Sequence, residues 1–284
     1  MSNLDKKTVE GFGDEWSTFD QSLMSDAELR YHFSIYFKNF PWDSLPSDAE
    51  GFDLGCGSGR WAKLVSERVN RLHCIDASAA AVQVARKNLE NTTNCYFHVA
   101  SVDNIPLQDE SMDFGYSLGV LHHVPDTAEG IRSCVAKLKE GAPFLIYLYY
   151  AFDNRPFWFV SIWKISNTIR QFISILPFFL RYWLTQIIAL LIYFPAARFS
   201  LLLEKIGINV ELIPLSSYRH ASFYTMRTDA LDRFGTSLEQ RFTANEIKVM
   251  LEKAGLERIQ FNDSDVYWIA IGYKRKYEMK KSGK

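Results

Sequence analysis

The chain has 284 residues, 48% of them hydrophobic and 23% charged, with a formal net charge of -1. That length suits one sizeable core with an added element, because single cores stop growing near ~250 residues. The composition excludes a disordered chain and a polytopic membrane protein, and near-neutrality gives no whole-molecule attraction for nucleic acid, so no nucleic-acid partner is expected.

Four widely spaced cysteines, Cys56, Cys74, Cys95 and Cys134, accompany no His or Cys at ligand spacing. Neither a metal site nor a disulfide framework is indicated. Residues 1–20 carry scattered charges and no apolar run, unlike a secretory signal, so a cytoplasmic protein is expected. Ser25-Asp26-Ala27-Glu28 reads as a capping box that opens a helix reaching about Phe40, one of the lead-in helices expected over residues 1–48, which cap the ligand site.

From residue 51, short apolar runs at 51–54, 71–75, 95–100, 112–118 and 143–150 alternate with helix-like stretches at 61–69, 78–90 and 127–140. This is the βαβ order of a mostly parallel sheet, spanning residues 49–152. Thr243-Ala244-Asn245-Glu246 is a second capping box, leading a helix that ends at Gly255. The runs 256–261 and 266–273 follow, suited to pairing as a hairpin, and residues 243–284 thus complete the core before a basic tail with Lys274, Arg275, Lys276, Lys280 and Lys281.

Residues 153–242 form a hydrophobic insertion that reads as a helical lid. Positions 157–199 hold 12 aromatics in 43 residues, and 182–197 is a run of 16 without a charge. The run is shorter than the ~18 residues of a spanning helix, and Pro177 and Pro195 bracket it, so it is not read as transmembrane. Between residues 155 and 205 the charges are Arg155, Lys164, Arg170, Arg181, Arg198 and Lys205 against Glu204 alone. Aromatics interleaved with basic residues suit peripheral contact with anionic lipid on the inner face of a membrane, while a dimer interface would use the same surface.

The chemistry is concentrated in Asp53-Leu54-Gly55-Cys56-Gly57-Ser58-Gly59, between a strand and a helix, where open α/β sheets bind nucleotide-like ligands. A dinucleotide loop wants glycine at its sixth position, and here that position is Arg60. A carboxylate at Asp53 would repel a pyrophosphate but suits an ammonium, such as the methionyl end of S-adenosylmethionine. Asp76, at the end of the second strand, is placed for ribose hydroxyls, and Asp103, after the third, for an adenine amino group.

These residues resemble the class I S-adenosylmethionine-dependent methyltransferases. The resemblance rests on Asp53 to Gly59, on Asp76, on Ser101-Val102-Asp103-Asn104-Ile105-Pro106-Leu107 and on Gly119-Val120-Leu121-His122-His123-Val124-Pro125-Asp126, with Phe12-Gly13-Asp14-Glu15-Trp16 as a lead-in. It implies an α/β, doubly wound, Rossmann-like sheet of seven mostly parallel strands with an antiparallel last strand, here carrying the helical insertion after strand 5. The cofactor residues it implies are Trp16, Asp53, Gly55, Cys56, Gly57, Gly59, Asp76, Ala77, Val102, Asp103, Asn104, Leu118 and His123. Cys56 reads as a small packing residue rather than a nucleophile.

Candidate catalytic residues are His122, His123, Tyr150, His220 and Tyr224, with His122 or His123 as a general base after the fourth strand. Tyr149, Arg219 and Arg227 are candidate substrate contacts. The expected reaction is methyl transfer to an O or N nucleophile of a hydrophobic or lipid-linked small molecule. The alternatives are a membrane-associated binding or assembly protein with an inactive methyltransferase core, and an NAD-dependent oxidoreductase.

Overall fold

The computed structural model describes residues 2–152, 155–262 and 268–276. Two lead-in helices, α1 (Lys6–Thr18) and α2 (Asp26–Tyr36), precede the sheet. Ser25 caps α2 as expected, its hydroxyl accepting from the Glu28 amide, and α1, capped by Asp5, is the other helix of the lead-in region. The core then alternates β1 (Glu50–Leu54), α3 (Arg60–Val65), β2 (Arg71–Asp76), α4 (Ala79–Asn88), β3 (Cys95–Val99), β4 (Phe114–Leu118), α5 (Thr127–Lys137) and β5 (Pro143–Leu148). After the insertion come α10 (Ala244–Lys253), β6 (Leu256–Phe261) and β7 (Trp268–Lys274). Residues 266–267 of the expected last strand lie outside the described residues.

The seven strands are ordered β3-β2-β1-β4-β5-β7-β6. β1 to β5 are mutually parallel, and β7 runs antiparallel to both β5 and β6. Strand order reverses between β1 and β4, and the crevice beyond their carboxyl ends is where such sheets hold ligands. Apolar side chains fill both faces, with Phe37, Trp61, Leu64 and Leu145 on one side and Phe52, Ile131, Phe144 and Leu251 on the other. Each such side chain contributes roughly 1.5–3 kcal/mol through burial.

The insertion is helical, as expected: α6 (Phe157–Ser174), α7 (Phe178–Ile188), α8 (Phe194–Lys205) and α9 (Phe223–Gly235). Pro195 does not end the helix, in contrast to the sequence reading. A π-helical turn at Ala189–Tyr193 joins α7 to α8, giving one helix from Phe178 to Lys205. The wider turn absorbs the hydrogen bond that proline cannot donate. It also keeps Thr185, Ala189, Tyr193 and Ala197, all buried and four residues apart, in one stripe despite the drift of a 3.6-residue period. Ala189, Tyr193 and Ala197 form a third small core with Ile173, Met226, Ala230 and Phe234. By length and composition this 28-residue helix is able to cross a membrane, with a mean hydropathy of 1.8 over its most apolar window.

The basic residues of the insertion are placed differently from the expectation. Arg155, Arg170, Arg181 and Arg198 turn inward onto backbone carbonyls of Glu211, Thr236, Gly235 and Arg219 respectively, where they satisfy chain ends of the insertion. Only Lys164 and Lys205 of the six are exposed. In the expected basic tail, Lys274 is instead nearly buried in β7, bonded to Glu110 and to the Leu138 carbonyl. Lys280 and Lys281 lie outside the described residues.

Candidate active site

The glycine loop leaves β1 at the switch point and is held by backbone bonds from Gly55 and Cys56 to the Ile75 carbonyl. Gly55, Gly57 and Gly59 all have positive φ (78°, 52° and 77°), where glycine alone is unstrained. A Cβ on Gly55 would lie 2.2 Å from the Val120 side chain, and one on Gly57 2.9 Å from the Trp16 indole. Gly55→Ala is expected to lower stability by about 2 kcal/mol or more, combining left-handed strain with overpacking. A urea midpoint unchanged from wild type would contradict this.

Asp76 sits at the tip of β2, its two carboxylate oxygens accepting from the amides of Gly57 (2.9 Å) and Ser78 (2.8 Å). Burial raises its pKa, and those two amide bonds oppose the rise. Each oxygen keeps a lone pair for a further donor. Asp76→Ala removes both the cap on the loop and those acceptors. Binding of S-adenosylhomocysteine, followed by calorimetry, is expected to weaken by roughly 10- to 150-fold, the equivalent of ~1.5–3 kcal/mol for a charged hydrogen bond.

One cavity of about 680 Å³ runs from this loop to the inner wall of the insertion. Of the expected cofactor residues, Trp16, Gly55, Cys56, Gly57, Asp76, Ala77, Val102, Leu118 and His123 line it. Gly59, Asp53, Asp103 and Asn104 do not. Asp53 lies behind the loop at 1% exposure, accepting from the Tyr116 hydroxyl at 3.0 Å. Burial, reinforced by the nearby Asp76, pushes its pKa up to about 8, with Tyr116 and Arg60 opposing, so it is not the open carboxylate the sequence suggested. Asp103 accepts from Ser101 and from the Asn3 amide, which hold its carboxyl below the usual range. Asn3, buried and doubly bonded to the Asp126 backbone, thus takes up the carboxylate expected to meet adenine. Cys56 is buried among core side chains, in keeping with a packing role.

The two histidines separate clearly. His122 is fully buried, off the cavity wall, stacked on Tyr149 with ring centroids 3.8 Å apart, and neither of its ring nitrogens has a partner. Burial, then His123 and Arg241, hold its pKa well below the usual value, so it is a packing residue and not the base. His123 lines the cavity. Its Nδ1 lies 2.7 Å from the Leu238 carbonyl oxygen, which fixes the proton there and leaves Nε2 as a buried acceptor without a partner. Burial lowers its pKa, against the pull of Asp232 and the Leu238 carbonyl, so the ring is neutral.

Tyr149 and Tyr150 also reach the cavity, and the Tyr149 hydroxyl donates to Asp232 at 2.9 Å. The remaining candidates do not. His220 and Arg219 both pair with Glu204 on the outer side of α8, Arg227 bonds Gln186 and Tyr182, and the Tyr224 hydroxyl accepts from the Gln21 amide. Each is spent on holding the insertion together or, for Tyr224, on tying it to the lead-in region, which corrects their reading as catalytic or substrate residues.

Sequence reasoning missed the polar half of the cavity. Glu15, Asp229, Asp232, Arg233 and Arg241 line it, the two arginines paired to the buried Glu239. Burial raises Glu15 well above the usual range, and Asp232 and Asp229 add to the shift. Asp229 is pushed up to about 6, again mainly by burial. The signal was present: Asp229, Asp232 and Arg233 occur at i, i+3 and i+4, the spacing that puts charged groups on one face of a helix.

Residues 52–146, a third of the chain, match a methyltransferase domain family. Among curated proteins, a ubiquinone biosynthesis O-methyltransferase of Xanthomonas axonopodis pv. citri (strain 306) is 30% identical over 103 residues, 36% of this chain and 43% of that protein. The chain therefore spans less than half the length of that relative. Among solved structures, the complex between the Haloferax volcanii Trm112 methyltransferase activator and a methyltransferase contains a chain superposing with a TM-score of 0.55 at 15% identity, over 95% of this chain and 99% of that one. Human N-acetylserotonin methyltransferase, solved with S-adenosylmethionine, gives 0.54 at 16% identity, over 93% of this chain and 57% of the other. At these identities the structural likeness concerns the fold.

Proposed function

From a core that is a class I S-adenosylmethionine-dependent methyltransferase domain, with S-adenosylmethionine as its cofactor, we infer that the whole chain transfers a methyl group to an O or N nucleophile of a hydrophobic or lipid-linked small molecule. The observation that carries this is one continuous cavity, which joins the glycine loop and Asp76 at one end to Phe159, Ile162, Trp163 and Ile169 of the insertion at the other. Its volume, about 680 Å³, falls in the ~300–1,000 Å³ range of ligand sites.

The residues fit the cofactor. Bare backbone at Gly55 and Gly57 admits close approach, Asp76 offers acceptors to ribose hydroxyls, and Ala77, Val102 and Leu118 give apolar walls for a base. When bound, the cofactor supplies a sulfonium methyl for in-line displacement. The chain's own work is to position and to exclude water, which accounts for much of the rate in such a reaction. His123 is the group for the proton: neutral, with Nδ1 committed to Leu238, it accepts through Nε2 the proton the nucleophile loses. Asp232 anchors Tyr149, which packs edge-on to His123 at 5.5 Å and holds its ring.

Incubation with labelled S-adenosylmethionine and a total bacterial lipid extract is expected to place label in solvent-extractable material. Binding of S-adenosylhomocysteine without any such label would overturn the hydrophobic acceptor, and absence of binding would overturn methyl transfer itself.

A further inference from the structure

All but four of the exposed large hydrophobic side chains among the described residues fall between Phe157 and Leu212. They include Phe157 at 86%, Ile175 at 77%, Phe172 and Phe179 at 68%, and Leu191 at 66% exposure. Soluble monomers rarely carry so continuous an apolar face. Residues 156–203 contain no Asp or Glu, so nothing acidic opposes an anionic or zwitterionic surface. Ile162, Ile165, Ile169 and Ile192 are each exposed and also line the cavity. A side chain with both properties marks where the cavity meets the outside, and here that is the apolar face between α6 and the π turn.

Resting on the reading that the cavity serves an apolar acceptor, we propose that the outer face of α6 to α8 docks on a phospholipid bilayer, and that the cavity opens sideways into it. The acceptor enters with its nucleophile toward His123 while its apolar tail stays among the isoleucines of the mouth. The helix Phe178–Lys205 lies along the interface instead of crossing. Its inner stripe is packed on α9, whose Asp229, Asp232 and Arg233 face the cavity, and spanning would draw those ionisable groups into hydrocarbon, which strongly disfavours them. Because Arg155, Arg170, Arg181 and Arg198 are turned inward, docking rests on apolar burial and not on charge.

The test is flotation with vesicles of phosphatidylcholine bearing a photoactivatable diazirine in the acyl chain. The protein is expected to float equally in low and high salt, since apolar burial is not screened. Peptide mass spectrometry after irradiation is expected to find label on Phe172, Phe179 and Leu191 and also on Ile162, Ile165 or Ile192. The triple variant F172E/F179E/L191E, altered only at exposed positions, is expected to stay at the bottom while still binding S-adenosylhomocysteine. Wild-type protein left at the bottom, flotation only with added anionic lipid and reversed by salt, or a stable dimer in which this face is shielded from label, would each overturn the docking. Label confined to the outer residues and absent from the mouth would overturn the side entry. Flotation without S-adenosylhomocysteine binding would support the docking while removing the methyltransferase reading, and binding without flotation would do the reverse.

Discussion

His123→Ala lowers methyl transfer into lipid extract by roughly 10²–10⁴-fold, the usual contribution of a positioned general base, while binding of S-adenosylhomocysteine changes little. The expectation follows from a ring whose Nδ1 is committed to the Leu238 carbonyl and whose Nε2 has no partner. The pH profile separates catalysis from support. Because burial lowers the His123 pKa, the neutral, proton-accepting form persists as pH falls through the ordinary histidine range, and the acidic limb of the wild-type profile appears only below it. In the alanine variant that limb disappears. A variant that loses rate uniformly but keeps the limb would show that the ring only packs the site. His122→Phe, which preserves an aromatic ring against Tyr149, is expected to retain activity.

Asp53→Asn is expected to stabilise the ligand-free protein, increasingly so as pH rises. In the folded chain burial pushes the carboxyl up to about 8, against an unfolded value of 3.8. Between those values the folded state holds a proton that the unfolded state has released. Raising pH therefore favours unfolding of the wild type, by about 1.4 kcal/mol per pH unit relative to the variant. Asparagine still accepts from the Tyr116 hydroxyl and cannot ionise. Urea midpoints from pH 4 to 9 check this, and parallel curves for the two proteins would mean that Asp53 is ionised in the fold. The same variant bears on function. A carboxyl that is costly to ionise when the site is empty gains from a nearby cation, so saturating S-adenosylmethionine is expected to narrow the stability gap between wild type and variant.

Much of the core was legible because its signals are local. Alternating apolar runs and helical stretches placed β1 to β5 to within a few residues, and of the two expected capping boxes the one at Thr243 forms in full, while Ser25 caps its helix but Glu28 turns away to Ser222 and Thr225. The loop glycines were readable because each has a backbone angle that other residues resist. Pro195 misled for the opposite reason. A proline breaks a helix unless the preceding turn widens, and the π turn at Ala189–Tyr193 is selected by packing against α9, which no local rule reports.

The sequence by itself determined the sheet, the glycine loop and the placement of Asp76, since these follow from periodicity, capping and φ within short windows. Only the tertiary structure decided which polar groups are free. Asp103 is bound by Asn3, 100 residues away, Tyr149 by Asp232 at a separation of 83, and Arg219 and His220 by Glu204 across a turn. A charged residue looks equally available anywhere in a sequence, but the fold decides which partner comes within reach, at the surface for Asp103, Arg219 and His220 and in the interior for Tyr149. Those contacts committed Arg219, His220, Arg227 and Tyr224 to the scaffold of the insertion and its join to the lead-in region, while packing withdrew Asp53 behind the loop and left His123 on the cavity wall with one nitrogen unclaimed.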